Sequence, residues 1–176
     1  MSGRGRRRRL DPALEWQETR FLNPGDWVVD SAPAVLGTLL GSCVSITLFS
    51  PALRIGAMCH YVLPRAHPAV GKNRHAGDGR YGDQAFALMC KALRDRGADP
   101  LRCEAKLFGG GRMFDSMGRD VGARNVEEGR ALLARAGIPL ATSDVGKAGH
   151  RRLWFDLSTG EVLLRFESVE RVWDVP

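Results

Sequence analysis

Nowhere does the chain string together the roughly 18 apolar residues that a membrane-spanning helix needs. No apolar stretch follows the arginines near its start, as one would in a signal peptide. These absences lead us to expect a cytoplasmic protein. The four cysteines, Cys43, Cys59, Cys90 and Cys103, include no Cys-x-x-Cys pair, so the commonest zinc and dithiol spacings are missing, and a reducing compartment would keep each as a free thiol. There is no internal repeat. Gly146-Lys147 lacks the earlier glycine and the following Ser or Thr of a phosphate-binding loop, so the run Gly109-Gly110-Gly111 and Gly146 are read as tight turns around a cleft.

What is present suits a globular protein. A chain of 176 residues, 44% hydrophobic and 26% charged, has the length and composition of one domain with its own core. Its net charge of +6 is misleading as a nucleic-acid signature. The first nine residues carry five arginines and no acid, and without them the remainder is close to balanced, at +1. Residues 1–19 are therefore expected to be a disordered basic tail and residues 20–176 the folded domain. Asp11, Glu15 and Glu18 interrupt the basic run at once, which argues against a basic recognition helix and against nucleic acid as the partner.

Apolar periodicity supplies the elements. Asn23-Pro24-Gly25-Asp26 is a turn signal ahead of the strand-like Trp27-Val28-Val29. An apolar stretch from Ala34 to Leu40 runs into Gly41-Ser42-Cys43, and Val44 to Leu48 alternates with period two, as a half-buried strand does. Ile55 to Leu63 is read as its hairpin partner. A long polar loop from Arg65 to Gly82 is of the kind that rims sites. Asp83 to Arg96, closed by Gly97, and Asn125 to Ala136, closed by Gly137, have helical spacing. Further strands are expected at Glu104 to Phe108, Ile138 to Thr142, Leu153 to Leu157 and Val162 to Phe166. Together these elements indicate an α/β (α+β) layered fold.

The chemistry centres on two residues of the hairpin. With residues 50–53 as a four-residue turn, Phe49 faces Arg54 and Cys43 falls directly opposite His60, and opposed side chains share a face with Cβ atoms about 5 Å apart. An ordinary thiol is only a few per cent ionised at neutral pH, and an adjacent imidazolium raises that fraction. Gly41 and Ser42 leave room for a substrate and for backbone N–H groups to approach an oxyanion. Cys59 alternates to the opposite face, and Cys90 and Cys103 are assigned to packing. A zinc site from Cys43, Cys59, His60 and His67 or His75 has no recognised ligand spacing, so no metal is expected.

Several short motifs occur in the order found in one known family. Thr38-Leu39-Leu40-Gly41-Ser42-Cys43-Val44, Pro51 and Gly56-Ala57-Met58-Cys59-His60 are the first of them. Asn23-Pro24-Gly25, Arg80-Tyr81-Gly82-Asp83, Lys106-Leu107-Phe108-Gly109-Gly110, Gly122-Ala123-Arg124-Asn125-Val126 and Asp144-Val145-Gly146 complete the set. Across residues 20–166 the chain resembles the chemotaxis deamidase family CheD. The resemblance implies an amidohydrolase that converts glutamines of methyl-accepting chemotaxis receptors to glutamate through a thioester. It also implies a single-domain, three-layer α/β/β sandwich, with Cys43 as nucleophile and His60 as base. A threonine ahead of the cysteine is the third member. Thr38 stands five positions before Cys43, whereas some members place it six before, where Gly37 stands here. No cofactor is implied. Members can bind the phosphatase CheC, and the alternative reading is a non-enzymatic partner or regulator of CheC or of receptors. Lys147, Ala148 and His150 stand where glycines are common in the family.

Overall fold

The computed structural model describes residues 19–66, 78–112 and 120–169. The expected basic tail falls almost wholly before the first of these, and most of the polar loop from Arg65 to Gly82, with His67 and His75, also lies outside the described residues. Within them are nine strands and two α-helices, a mixed α/β protein built mostly of strands. A five-stranded sheet has the order β2 (Trp27–Ser31), β5 (Ile55–Cys59), β4 (Val44–Ser50), β6 (Glu104–Gly109), β7 (Leu140–Val145). A four-stranded sheet has the order β1 (Thr19–Phe21), β3 (Val35–Leu40), β8 (Gly149–Asp156), β9 (Val162–Ser168). Most pairings are antiparallel; β1 with β3 and β6 with β7 are parallel.

Helix α1 (Gly82–Asp95) buries Ala85, Phe86, Met89, Cys90 and Leu93, a single stripe at three- and four-residue spacing. It stops where Gly97, at φ +80°, lets the Ala98 N–H reach back to the Leu93 carbonyl at 2.9 Å. Helix α2 (Val121–Arg135) starts four residues before the expected Asn125. Its cap is Asp120, whose carboxylate accepts from the Ala123 N–H at 2.9 Å. The first turn escaped the periodicity because its buried positions are Gly122 and Asn125, which carry no apolar signal. Neither helix is long and apolar enough to cross a membrane.

Two clusters of buried side chains hold the elements together. One joins both helices to the five-stranded sheet through Val44, Ile46, Leu48, Met89, Leu93, Leu107 and Leu133. The other draws from both sheets, with Leu36, Leu40, Leu153 and Phe155 meeting Phe49, Met58 and Phe108. Phe49 and Phe155 contact edge to face with centroids 6.1 Å apart. Strand β4 lies between the two clusters, flanked by β5 and β6, and every one of its residues is buried. The half-buried strand expected from its alternation is therefore corrected. Ser45 and Thr47 lie inside the protein, and their hydroxyls have no partner.

The hairpin register also needs correction. Residues 51–54 make the turn, Ser50 pairs with Ile55, and Phe49 faces Gly56 instead of Arg54. The cause is local. Arg54 adopts a left-handed conformation, φ +50°, and its carbonyl accepts from the Ala32 N–H, so it belongs to the turn. Val44 then opposes Tyr61, and Cys43 is not directly opposite His60. The displacement is two residues, an even number, so extending this register past the strand ends keeps positions 43 and 60 on the same side of the ladder, although both lie just outside β4 and β5.

Candidate active site

The surroundings of His60 are built from residues far apart in sequence. Thr38, on β3 of the four-stranded sheet, and His60, just after β5 of the five-stranded sheet, are both buried. Thr38 Oγ1 lies 2.8 Å from His60 Nδ1 and also donates to the Leu22 carbonyl at 2.8 Å. A hydroxyl has one hydrogen. With that hydrogen on Leu22, the contact to the ring must be Nδ1–H donating to Thr38 Oγ1, with the Leu22 carbonyl a second acceptor 3.4 Å away. The remaining nitrogen, Nε2, then carries the lone pair, and it is buried without a hydrogen-bond partner. The opposite tautomer would bury an N–H with no acceptor. Burial lowers the His60 pKa below its ordinary value, against smaller opposing effects of the Leu22 carbonyl and the Asp26 charge. The ring is neutral at neutral pH, its free lone pair available.

Cys43 lies in the short link between β3 and β4, the point at which the chain passes from one sheet to the other. It is half-buried and packs against the inter-sheet cluster. Burial pushes its thiol pKa up, and its own backbone N–H partly offsets the rise. These environments favour a neutral thiol and a neutral imidazole at rest, not the imidazolium beside a thiolate suggested by residue types alone. Among the described residues, the thiol makes no hydrogen bond to His60. Register relates the two as diagonal neighbours on one face, where cross-strand spacing is about 7–8 Å between Cα atoms and less between side chains.

The link carrying Cys43 is tethered at three consecutive carbonyls. Gly111 N–H donates to Gly41 at 2.8 Å, Asn125 Nδ2 to Ser42 at 3.1 Å and Gly110 N–H to Cys43 at 2.8 Å. Gly109 and Gly110 both have positive φ, in keeping with the tight turn expected there. Asn125 Nδ2 also donates to the Val62 carbonyl at 2.8 Å, and the Asn125 carbonyl accepts from Tyr61 Oη at 2.6 Å.

Several polar residues behind this arrangement were not singled out from sequence for a role. Asn125 is fully buried, and Glu128, one turn further along α2, holds Arg65 and Arg135 at 2.7 and 2.8 Å. Arg151 is fully buried, with Nε on Asp144 Oδ1 at 2.7 Å and Nη2 on the Gly146 carbonyl at 2.8 Å. The usable signal on α2 was the spacing of Gly122, Asn125, Gly129 and Leu132, a helical stripe interrupted by one amide. The other three cysteines are buried free thiols in the helix-facing cluster. Cys59 is pushed up to about 12 and Cys103 to about 11 by burial, which leaves them inert.

Fold and site together define a mixed α/β protein with a half-buried cysteine at a sheet-to-sheet crossing and a buried threonine–histidine pair that joins the sheets. Residues 62–166 match the family model described as CheD chemotactic sensory transduction. Among curated proteins, the chain is 45% identical over 150 residues to a probable chemoreceptor glutamine deamidase CheD 3 of Dechloromonas aromatica, covering 83% of this chain and 86% of the relative. It is 43% identical over 146 residues to a probable chemoreceptor glutamine deamidase CheD 2 of Albidiferax ferrireducens, covering 81% and 83%. A probable chemoreceptor glutamine deamidase CheD of Pyrococcus abyssi is 38% identical over 146 residues, covering 80% and 87%. The chain belongs to the CheD family.

Proposed function

We propose that the protein hydrolyses glutamine side-chain amides on methyl-accepting chemotaxis receptors, with Cys43 as nucleophile, His60 as general base and acid, and Thr38 as the residue that orients the imidazole. The observation that carries this reading is the Thr38–His60 pair. It supports the Nδ1–H tautomer, which leaves the Nε2 lone pair to serve as the base in this proposal. The names of the relatives supply the substrate class. The two core clusters support layering of helices on one sheet and that sheet on the other, the α/β/β arrangement. The proposed substrates are glutamines in the cytoplasmic helical region of the receptors, and a cytoplasmic location of the enzyme is part of the same proposal.

The reaction needs only the chain's own groups and water. His60 Nε2 takes the Sγ proton as Cys43 attacks the carboxamide carbon, and the oxyanion is held by backbone N–H groups of the Ser42 and Cys43 link. The C–N bond then breaks, and ammonia leaves with the proton held on His60. A water molecule, deprotonated by the same Nε2, cleaves the thioester to glutamate and restores the thiol. No cofactor enters. CheC remains a proposed partner, and a purely non-enzymatic role for the domain is the rival reading.

Ammonia release from receptor cytoplasmic fragments, with mass spectrometry of the glutamines, tests the enzyme directly. The wild type is expected to convert glutamine to glutamate and Cys43→Ala to have no detectable turnover; equal rates would sink the proposal in favour of the binding role.

A pH experiment follows from the two shifts. His60 acts as a base only when neutral, and its folded pKa lies below the ordinary histidine value, so the acid limb of kcat should fall below about pH 6.5. The Cys43 thiol is raised, so its alkylation by iodoacetamide in the absence of substrate should climb only on the alkaline side of the ordinary thiol range. A plateau of rapid alkylation at pH 6 would show a preformed ion pair and contradict the neutral resting state.

A further inference from the structure

We infer that Asn125 is a positioning residue that sets the oxyanion-binding peptide of the site, an inference that rests on the reading of Cys43 as nucleophile. The Ser42 carbonyl and the Cys43 N–H belong to one peptide plane, and in a trans peptide they point in opposite directions. Whatever holds that carbonyl aims that N–H. Here the holder is a side-chain amide, Asn125 Nδ2, at 3.1 Å. The carbonyls of Gly41 and Cys43 on either side are held by backbone N–H groups of Gly111 and Gly110. The peptide preceding the nucleophile is thus the one tether of the three that depends on a side chain, and so the one a substitution can remove.

The same amide fixes the position of the base. Its second hydrogen goes to the Val62 carbonyl at 2.8 Å, two residues past His60, so a single NH₂ group spans from the nucleophile's link to the strand end that carries the base. Tyr61, adjacent to His60, donates through Oη to the Asn125 carbonyl at 2.6 Å, which fixes the residue from its backbone side. Asn125 is fully buried and sits on α2, an element that supplies no other proposed site residue. Both donor hydrogens are used on backbone carbonyls, so the NH₂ group is not free to bind substrate, while Oδ1 is buried without a hydrogen-bond partner. A hydrogen bond received at the Ser42 carbonyl also polarises that peptide and makes the Cys43 N–H a stronger donor. The Cys43 N–H, which partly offsets the rise in its own thiol's pKa, is the donor this inference assigns to the tetrahedral oxygen.

The test separates oxyanion support from folding and from thiol reactivity. Alkylation of Cys43 by iodoacetamide needs the thiol and no oxyanion site, whereas deamidation needs both. In Asn125→Ser and Asn125→Asp, the second being isosteric but presenting carboxylate oxygens to the two carbonyls, kcat for receptor-fragment deamidation should fall about 10- to 100-fold, somewhat less than loss of a direct oxyanion donor. In Asn125→Ser, which adds no charge, KM and the alkylation rate at fixed pH should stay within about threefold of the wild type. A kcat within threefold of wild type in folded Asn125→Ser would overturn the inference, as would deamidation and alkylation falling in parallel. Circular dichroism and urea unfolding identify which variants are folded, and the aspartate variant preserves side-chain volume if the serine variant does not fold. Full activity in Cys43→Ala would refute the nucleophile itself, a result distinct from either of these.

Discussion

A His60→Asn enzyme should lose about 10²- to 10⁴-fold in kcat for glutamine deamidation, the range over which a positioned acid–base group acts. Asparagine is chosen because its amide nitrogen overlays the Nδ1 edge of the ring. It can keep donating to Thr38 Oγ1 and toward Leu22, while the Nε2 lone pair is deleted. The substitution therefore removes the base and leaves the inter-sheet contact in place. Because the thiol is raised by burial and is neutral at rest, little thiolate is present to substitute for the missing base. Thr38→Val is the companion. It keeps the shape and removes the hydroxyl, and Nδ1–H can turn to the Leu22 carbonyl already 3.4 Å away, so a loss of about tenfold is expected, equivalent to one hydrogen bond of roughly 1.4 kcal/mol. Steady-state ammonia assays measure both. A His60→Asn rate within threefold of wild type would eliminate His60 as the base, and a Thr38→Val loss as large as that of His60→Asn would give the threonine a chemical role of its own.

The largest effect on stability is expected at Gly109, and here backbone geometry decides. Gly109 has φ +106°, and a Cβ placed on it would collide with the Cys43 carbonyl oxygen. Gly109→Ala has to bear the strain of a left-handed non-glycine backbone and a clash with an atom that cannot rotate away, since that oxygen accepts from the Gly110 N–H. Together these should cost about 3 kcal/mol or more. Gly97→Ala is the matched control, because Gly97 also has positive φ, +80°, but nothing lies within 4 Å of where its Cβ would be. It should cost only about 1 kcal/mol. Urea unfolding midpoints compare the two directly. Equal losses would mean that the packing of the Gly109 turn against the link carrying Cys43 contributes nothing to stability.

The contrast between what could and could not be read from residues follows physical lines. Helix α1 was legible because Ala85, Leu88, Met89, Ala92 and Leu93 recur at helical spacing and its stop is a glycine, and three of these, Ala85, Met89 and Leu93, lie on the buried stripe. The strands Val44–Ser50 and Ile55–Cys59 were legible as a hairpin, but the register was not, because Arg54 in a left-handed turn conformation looks no different in sequence from Arg54 in a strand. β8 begins four residues ahead of the expected Leu153, since the buried Arg151 reads as a surface residue until Asp144 and the Gly146 carbonyl are seen to receive it. The short β1 carries too few residues for a period. In the site, Cys43 and His60 stood out by residue type and spacing. Thr38 entered through family resemblance, and its contact with His60 is a tertiary fact no local pattern encodes. Asn125 was hidden for the same reason, as an amide on a helix whose partners lie 83 and 63 residues away in sequence.

The threonine and the histidine belong to different sheets, and the loop bearing the cysteine is the chain's passage from one sheet to the other. The proposed reactive centre is therefore a property of the interface between two sheets and not of either alone. A newly synthesised or partly opened chain with one sheet formed would carry a cysteine at ordinary reactivity and no base held against it. On that proposal, hydrolytic activity would appear only once the sheets have closed on each other, and the apolar contacts that dock them would also license the chemistry.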